Sequence, residues 1–556
     1  MQGEAGPSPP PIFVEVAAEV GIDFVHHNGA AGDFYYPEVM PGGVALIDFD
    51  GDAYLDVYLV QAGDLAQGAA GSRYRNRLYR NRRDGTFEDV SLVAGVDDGG
   101  YGIGVAAADF DADGWVDLYV ANLGPNVLYR NRGDGTFAEV TSEAGVGEPR
   151  FSSSATFLDY DRDGDLDLYV ANYVRWSPEL ERTCLGRNGA RAYCSPAEYE
   201  PESDTLYRNE GDGRFTDVSR EAGIASVSGP GLGVVARDFD GDDRVDVYVA
   251  NDQQANHLWM NQGDGSFKEE ALFRGAALNG LGLPEAGMGV VAEDPDGDGD
   301  WDLFVAHLSG ETNTFYRNDE GHFHDITDRL QLSAASQPYT GFGTALFDYD
   351  NDGLLDIFLA NGKVTPGDSA ELDFSEPNQL FRGRLDGSFE DVSGRAGAPF
   401  ALLEVSRGSA VGDVDNDGDL DLVVANNGGP ARLLRNEVGN REGWLTVTVC
   451  ATRGEPSPIG ATVTVEVAER RQMRQIQPAS GYCSSNDPRA HFGLGAAAGV
   501  DRLVVSWPDG TSVEKRDVAA RQGVLVAPAA GIVELDRNDF TADASRVGAR
   551  ICDGAR

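Results

Sequence analysis

Five cysteines, seven histidines, and 44 lysines and arginines against 92 aspartates and glutamates leave this 556-residue chain poor in reactive and cationic groups. The cationic deficit gives a formal net charge of −48, which disfavours nucleic acid and anionic membrane surfaces as partners. No run approaches the roughly 18 apolar residues that a membrane helix needs, so no membrane span is expected. No Ser/His/Asp arrangement, P-loop or thiol nucleophile supports hydrolase or kinase chemistry. Gly493 and Gly495 do not form a nucleotide cradle, because G-x-G-x-x-G is not completed.

What is abundant is aspartate, and it is periodic. The pattern D-x-D-x-D-x-x-x-D recurs seven times: Asp48, Asp50, Asp52 and Asp56; Asp109, Asp111, Asp113 and Asp117; Asp159, Asp161, Asp163 and Asp167; Asp238, Asp240, Asp242 and Asp246; Asp294, Asp296, Asp298 and Asp302; Asp348, Asp350, Asp352 and Asp356; Asp413, Asp415, Asp417 and Asp421. Four carboxylates in one tight turn repel one another unless a cation sits among them. Oxygen ligands at positions 1, 3, 5 and 9, with a backbone carbonyl near 7, suit Ca²⁺ and not Zn²⁺, so up to seven calcium ions are expected. An EF-hand would place Glu at position 12, where this chain has only aliphatic residues, such as Leu59, Val120 and Val424. Position 6 is glycine in five copies but Ala53 in the first and Asp243 in the fourth, and Pro295 follows the first aspartate of the fifth. These departures set the first, fourth and fifth loops apart from the other four.

Each loop is followed by a β-like run, then by a signature such as Leu78-Tyr79-Arg80-Asn81 or Leu128-Tyr129-Arg130-Asn131, an Asp-Gly turn, and a strand opened by Phe87, Phe137, Phe215, Phe267, Phe323 or Phe389. Four antiparallel strands per unit compose a propeller blade. No such fourth strand follows the seventh loop, whereas Phe13-Val14-Glu15-Val16 precedes the first. The amino-terminal strand should therefore complete the last blade and remove two open edges. The expected fold is all-β, a seven-bladed propeller with calcium loops over residues 13–442, with a disordered segment at 1–12. A small β-sandwich follows at 443–530 and a polar tail at 531–556.

The expected disulfides are Cys184–Cys194, around an insertion without strand pattern, and Cys450–Cys483 in the C-terminal domain, leaving Cys552 unpaired. Disulfides and calcium together point to an extracellular or periplasmic location. The opening residues carry neither basic stub nor apolar core of a signal peptide, so export implies a leader outside this sequence.

The blade signature, with Phe24-Val25-His26-His27-Asn28-Gly29, Phe492-Gly493-Leu494-Gly495 and Trp507-Pro508-Asp509-Gly510, resembles the cartilage acidic protein family: FG-GAP/VCBS repeats followed by an ASPIC/UnbV domain. That resemblance, shared with the integrin α propeller, implies an exported, calcium-dependent module that binds protein or glycan. Similarity to aldos-2-ulose dehydratases implies the alternative, a propeller enzyme of carbohydrate lyase or dehydratase type or one of natural-product biosynthesis. On the face opposite the loops the second strands end at Gln61, Asn122, Asn172, Asn251, His307, Asn361 and Asn426. These either cap turns or form a ring able to hold a sugar or an additional transition metal, with Asp252 approaching from a neighbouring loop. Candidate catalytic residues are His26, His27, Glu38 and His307, and an enzyme requires at least two of them to converge.

Overall fold

The computed structural model describes residues 10–65, 73–186, 189–366, 373–450, 457–468, 470–528 and 530–535. Its larger part is a ring of seven four-stranded antiparallel units. In the first, Val44–Ile47 runs next to the axis and pairs with Asp56–Leu59, then Arg77–Asn81, then Phe87–Asp89 at the rim. The inner strands of the other six are Tyr101–Ala108, Pro149–Leu158, Gly231–Arg237, Val290–Glu293, Gly341–Phe347 and Ser406–Gly412. Each packs against the next, and the last packs against the first, so the ring is closed.

Closure has the expected covalent route. Phe13–Glu15 pairs antiparallel with Arg432–Asn436, Phe13 opposite Asn436 and Glu15 opposite Leu434, so the chain's beginning is the outer strand of its last blade. The expected disorder of residues 1–12 falls mostly on 1–9, outside the described residues, while the Ile12 carbonyl accepts a hydrogen bond from Glu437.

Apolar side chains alternate with polar ones less than a one-sided sheet would require, because every blade is sandwiched between two others. Ile47, Phe49 and Tyr58 of the first blade interdigitate with Val105, Leu118 and Phe137 of the second. Close to the axis the backbones approach until no side chain fits. A Cβ on Gly104 would lie 2.2 Å from the Ser153 carbonyl oxygen, and one on Gly408 2.3 Å from that of Gly42. Blades two and three are further joined by pairing of Pro149–Phe151 with Leu123–Pro125.

The signature asparagine acts as a staple between blades. Asn81 donates from Nδ2 to the Val414 carbonyl of the last blade at 2.8 Å, and Asn131 reaches Phe49, Asn209 reaches Phe110, Asn261 reaches Tyr160, Asn318 reaches Phe239 and Asn436 reaches Tyr349. The sixth blade has Gly383 at this place. We expect Asn81→Ala, which strips the ring-closing staple and orphans buried carbonyls, to lower stability in urea unfolding by about 2–3 kcal/mol.

The C-terminal domain is a β-sandwich. One sheet runs in the order Ala490–Gly495, Gly443–Val449, Gln522–Ala527, Gly531–Glu534, the middle pair being parallel. The other runs Arg470–Gln475, Thr462–Val467, Gly499–Ser506, Ser512–Ala519. Leu445, Val463, Phe492, Leu503 and Trp507 fill the space between them. Gly531–Glu534 belongs to the sandwich and not to a polar tail, because its backbone completes the edge beside Gln522–Ala527. The remainder of the tail, with Cys552, lies outside the described residues.

Among the described residues no helix is long and apolar enough to cross a membrane.

Candidate metal-ion loops and the plugged channel

All seven aspartate loops share one backbone. In the first, sixth and seventh loops the first carboxylate accepts from amides four and five residues on: Asp48 from Asp52 and Ala53 at 2.9 and 2.8 Å, Asp348 from Asp352 and Gly353, Asp413 from Asp417 and Gly418; in the fifth, Asp294 accepts from Gly297 and Gly299, and the Asp298 amide turns to Asp296. The ninth residue bridges loop and blade: Asp56 accepts from Phe49 through Oδ2 and from Asn81 through Oδ1, and Asp117 does so from Phe110 and Asn131. In the fifth loop Pro295 has no amide to give, and Asp302 keeps only the bond from Asn318, at 2.7 Å.

Two positions per loop are left-handed. Position 6 has positive φ in every copy, including Ala53 and Asp243, both at 66°, so these departures from glycine keep the turn at the cost of local strain. Position 4 does too, at Gly51, Ala112, Arg162, Gly241, Gly297, Asn351 and Asn416. Its mixed composition hid that requirement from sequence reasoning.

The carboxylates converge. Ligand atoms of Asp48, Asp50 and Asp56 lie within 4.8 Å of one another, as do those of Asp109, Asp111 and Asp117, of Asp159, Asp161 and Asp167, of Asp238, Asp240 and Asp246, and of Asp294, Asp296 and Asp298. These clusters could hold metal ions. The fit is supported by a repeated deficiency: Oδ1 of Asp50, Asp240, Asp350 and Asp415, the third residue of four loops, is buried without a hydrogen-bond partner. Arginines reach some of them from the side, Arg80 to Asp50 at 2.6 Å and Arg382 to Asp350 at 2.7 Å. Burial, reinforced by neighbouring carboxylates, pushes Asp48 and Asp109 up to about 7, Asp246 to about 8, and Asp167 and Asp302 to about 9.

A carboxyl raised in the folded state above its unfolded value near 3.9 contributes stability below that value and loses it as pH climbs through the folded pKa. In chelator, the melting temperature should therefore fall as pH rises from 5 to 8. A divalent ion replaces the protons and should flatten that dependence in differential scanning calorimetry.

The sandwich docks on this acidic face. His491 Nε2 lies 2.7 Å from Asn351 Oδ1, and Arg489 donates to the Asp413 carbonyl and to Asn416 Oδ1. From it, residues 477–487 enter the channel. Gly481 pairs with Val290 in both directions, the Val105 amide donates to the Cys483 carbonyl, Ser485 exchanges bonds with Val44 and Leu46, and the Asp487 amide donates to Val411. Cys483 donates its amide to Ser154 Oγ. The segment thus satisfies inner strands of five blades, and Tyr482 sets its ring edge-on to Phe342 of a sixth.

This corrects the second expected disulfide. Cys483 is a free, buried thiol inside the channel, and Cys450 sits in the sandwich, in a disulfide that does not involve it. Burial pushes the Cys483 thiol up to about 12, which keeps it protonated and unreactive. Cys184–Cys194 is formed as expected.

On the opposite face, the strand-end residues cap turns. Asn122, Asn172, Asn251, Asn361 and Asn426 donate from Nδ2 to the carbonyls of Pro125, Ser203, Ala255, Pro377 and Pro430, Gln61 Nε2 donates to Val25, and His307 Nδ1 lies 2.9 Å from the Thr312 carbonyl oxygen. His307 Nδ1 takes the place of the asparagine Nδ2, while Oδ1 of Asn122, Asn251 and Asn361 is buried without a hydrogen-bond partner. The catalytic candidates go to separate partners: His26 Nδ1 accepts from Gly428, His27 stacks on Tyr74 at 4.1 Å, and Glu38 accepts from the Tyr193 hydroxyl at 2.7 Å.

A closed propeller whose acidic loops carry a docked sandwich defines the structural class. The FG-GAP-like repeat model matches residues 48–120, 109–170, 195–249, 238–305 and 294–359, together more than half of the sequence, and the chain belongs to that family. The ASPIC and UnbV model matches residues 451–533. Cartilage acidic protein 1 of Homo sapiens is 29% identical over 86% of this chain and 61% of its own length, and that of Xenopus tropicalis is 27% identical over 84% and 61%. The chain thus spans about 61% of the length of these curated relatives. Among solved structures, the BP39L lectin from Burkholderia pseudomallei aligns with a TM-score of 0.42 at 11% identity, covering 72% of this chain and 96% of that one. An Agrocybe aegerita lectin specific for non-reducing terminal N-acetylglucosamine aligns at 0.39 and 16%, covering 71% and 94%.

Proposed function

We propose that this protein is an exported, calcium-stabilised propeller that acts as a binding module for a protein or glycan partner. The observation that carries the calcium part is the recurrence of buried third-position oxygens without hydrogen-bond partners, at Asp50, Asp240, Asp350 and Asp415, beside first and ninth carboxylates of the same loops. A hard cation with six to eight oxygen ligands removes this deficiency, whereas thiolate- or imidazole-seeking metals find no soft donor in the loops. Export is supported by the Cys184–Cys194 disulfide and by the free calcium level such loops require.

A binding role is supported by the axis of the ring. A plug that hydrogen-bonds across five blades leaves no through-channel, and the histidines proposed for chemistry are engaged with separate neighbours. Partners would meet the face opposite the sandwich or the exposed rim.

Replacing two ligands of one loop tests the calcium assignment without dismantling the fold. Asp240→Asn with Asp242→Asn should lower the calcium stoichiometry measured by calorimetry by one and leave the other sites intact. Unchanged stoichiometry would remove the fourth loop from the set.

A further inference from the structure

Above the plug, on the face away from the aspartate loops, the ring encloses a cavity of about 710 Å³. Its walls include Tyr36, Met40, Met288, Leu308 and Phe342, and it reaches the surface at the exposed Leu185 and Glu198 of the disulfide-pinned insertion. Volume and lining match those of sites that enclose small organic molecules.

Among the charged residues of the lining, Arg191 and Glu198 are exposed at the rim and Asp252 is buried. Asp252 is 4% exposed; its Oδ2 accepts from the Tyr173 hydroxyl at 2.5 Å, that hydroxyl is hydrogen-bonded to Tyr36, and its Oδ1 is buried with no hydrogen-bond partner. Among the described residues no cationic side chain forms an ion pair with Asp252. Arg191 at the rim lies over the Phe34 ring, and the buried Arg407 spends its guanidinium on the carbonyls of Val39, Gly362, Ser406 and Lys363. Glu311 adds a second negative charge acting on Asp252. A buried carboxylate without its counter-ion is costly, and a carboxylate set in aromatic and thioether walls is what an organic ammonium group seeks. An inorganic divalent ion is a poorer fit: the lining mixes Ser195, Ser309 and Thr340 with apolar and aromatic side chains, and no second buried carboxylate stands beside Asp252 among the described lining residues.

We propose, deepening the binding role above and resting on it, that this cavity binds a small organic ammonium compound with an apolar or aromatic body, Asp252 serving as its counter-ion. The hydroxyl chain Tyr36–Tyr173 fixes one carboxylate oxygen and turns the other to the ligand, and the net charge of −48 raises the local concentration of cations at the mouth.

Calorimetry on the full chain in calcium tests this with phenethylamine, tyramine and choline, and with 2-phenylethanol as the uncharged counterpart of the first. At least one amine should bind at millimolar concentration or tighter, with 2-phenylethanol about tenfold weaker or worse than phenethylamine, and Asp252→Asn should weaken the bound amine by about thirtyfold or more. Failure of all three amines, equal binding of the alcohol, or unchanged affinity in a folded Asp252→Asn variant would overturn the inference. The comparison of amine with alcohol on the unaltered protein stands even where the variant does not fold. A protein stabilised by calcium that binds none of the amines refutes the cavity assignment alone; amine binding without any calcium response refutes the calcium role alone.

Discussion

Transfer of the purified protein into excess chelator at pH 8, the upper end of the range over which the chelated melting temperature falls, is expected to unfold the ring at room temperature, and addition of calcium to restore it. A ligand that binds only the folded state contributes about 2.7 kcal/mol per site at a hundredfold excess over Kd, so seven filled loops would supply about 15–20 kcal/mol. That exceeds the about 5–15 kcal/mol by which most domains are stable. Loss of the ions also restores repulsion among carboxylates that burial holds in close proximity, as at Asp48, Asp50 and Asp56. Circular dichroism near 218 nm and tryptophan fluorescence should both report the transition, and magnesium at equal concentration should restore less, because it demands a tighter octahedron than these turns offer.

The second large effect is expected at the plug. Tyr482 is fully buried, donates its hydroxyl to the Met40 carbonyl at 2.9 Å and rests edge-on against Phe342 at 4.9 Å. Tyr482→Ala removes a large aromatic from a site surrounded by closely approaching backbones, which should cost about 3–5 kcal/mol. It should also loosen the hold on Cys483, whose thiol neighbours Ser154 Oγ. Peptide mapping after brief alkylation then gives a direct reading: Cys483 should be silent in the unaltered protein and labelled in Tyr482→Ala. Tyr482→Phe loses the hydroxyl bond alone, about 1 kcal/mol, and should leave Cys483 protected. Full protection of Cys483 in Tyr482→Ala, with unchanged stability, would mean that the plug contributes nothing to closing the ring.

The repeat, the closing strand and the sandwich were legible because they rest on local patterns: aspartates at alternate positions, a β-run after each, and Phe13–Glu15 lacking a partner nearby in sequence. Turn capping by the strand-end amides was one of two alternatives; their nitrogens cap turns, His307 Nδ1 included, while Oδ1 of Asn122, Asn251 and Asn361 has no hydrogen-bond partner. What escaped depends on contacts between residues far apart in the chain. The segment around Ser480-Gly481-Tyr482-Cys483-Ser484 has the composition of an ordinary loop, and only its partners, Val44, Val105, Ser154 and Val290, reveal it as the filling of the channel. Cysteine arithmetic therefore paired Cys483 with a domain-mate instead of placing it against the inner strands. The staple function of the signature asparagine was equally hidden, since its acceptor lies on another blade. Asp252 and Glu38 were picked out by type alone. Their burial follows from the insertion pinned by Cys184–Cys194, whose Tyr193 donates to Glu38 and whose Ser195 donates to Gln253 beside Asp252.

Cations that hold the aspartate turns together at the corners of a closed ring should be countable on the intact protein. Native mass spectrometry of the protein exchanged into volatile buffer with calcium tests this most directly by counting ions. The expected spectrum is a folded charge-state distribution that carries up to seven calcium ions and collapses into an unfolded distribution as they are stripped. A compact, ion-free protein at neutral pH, unchanged by millimolar calcium, would contradict it.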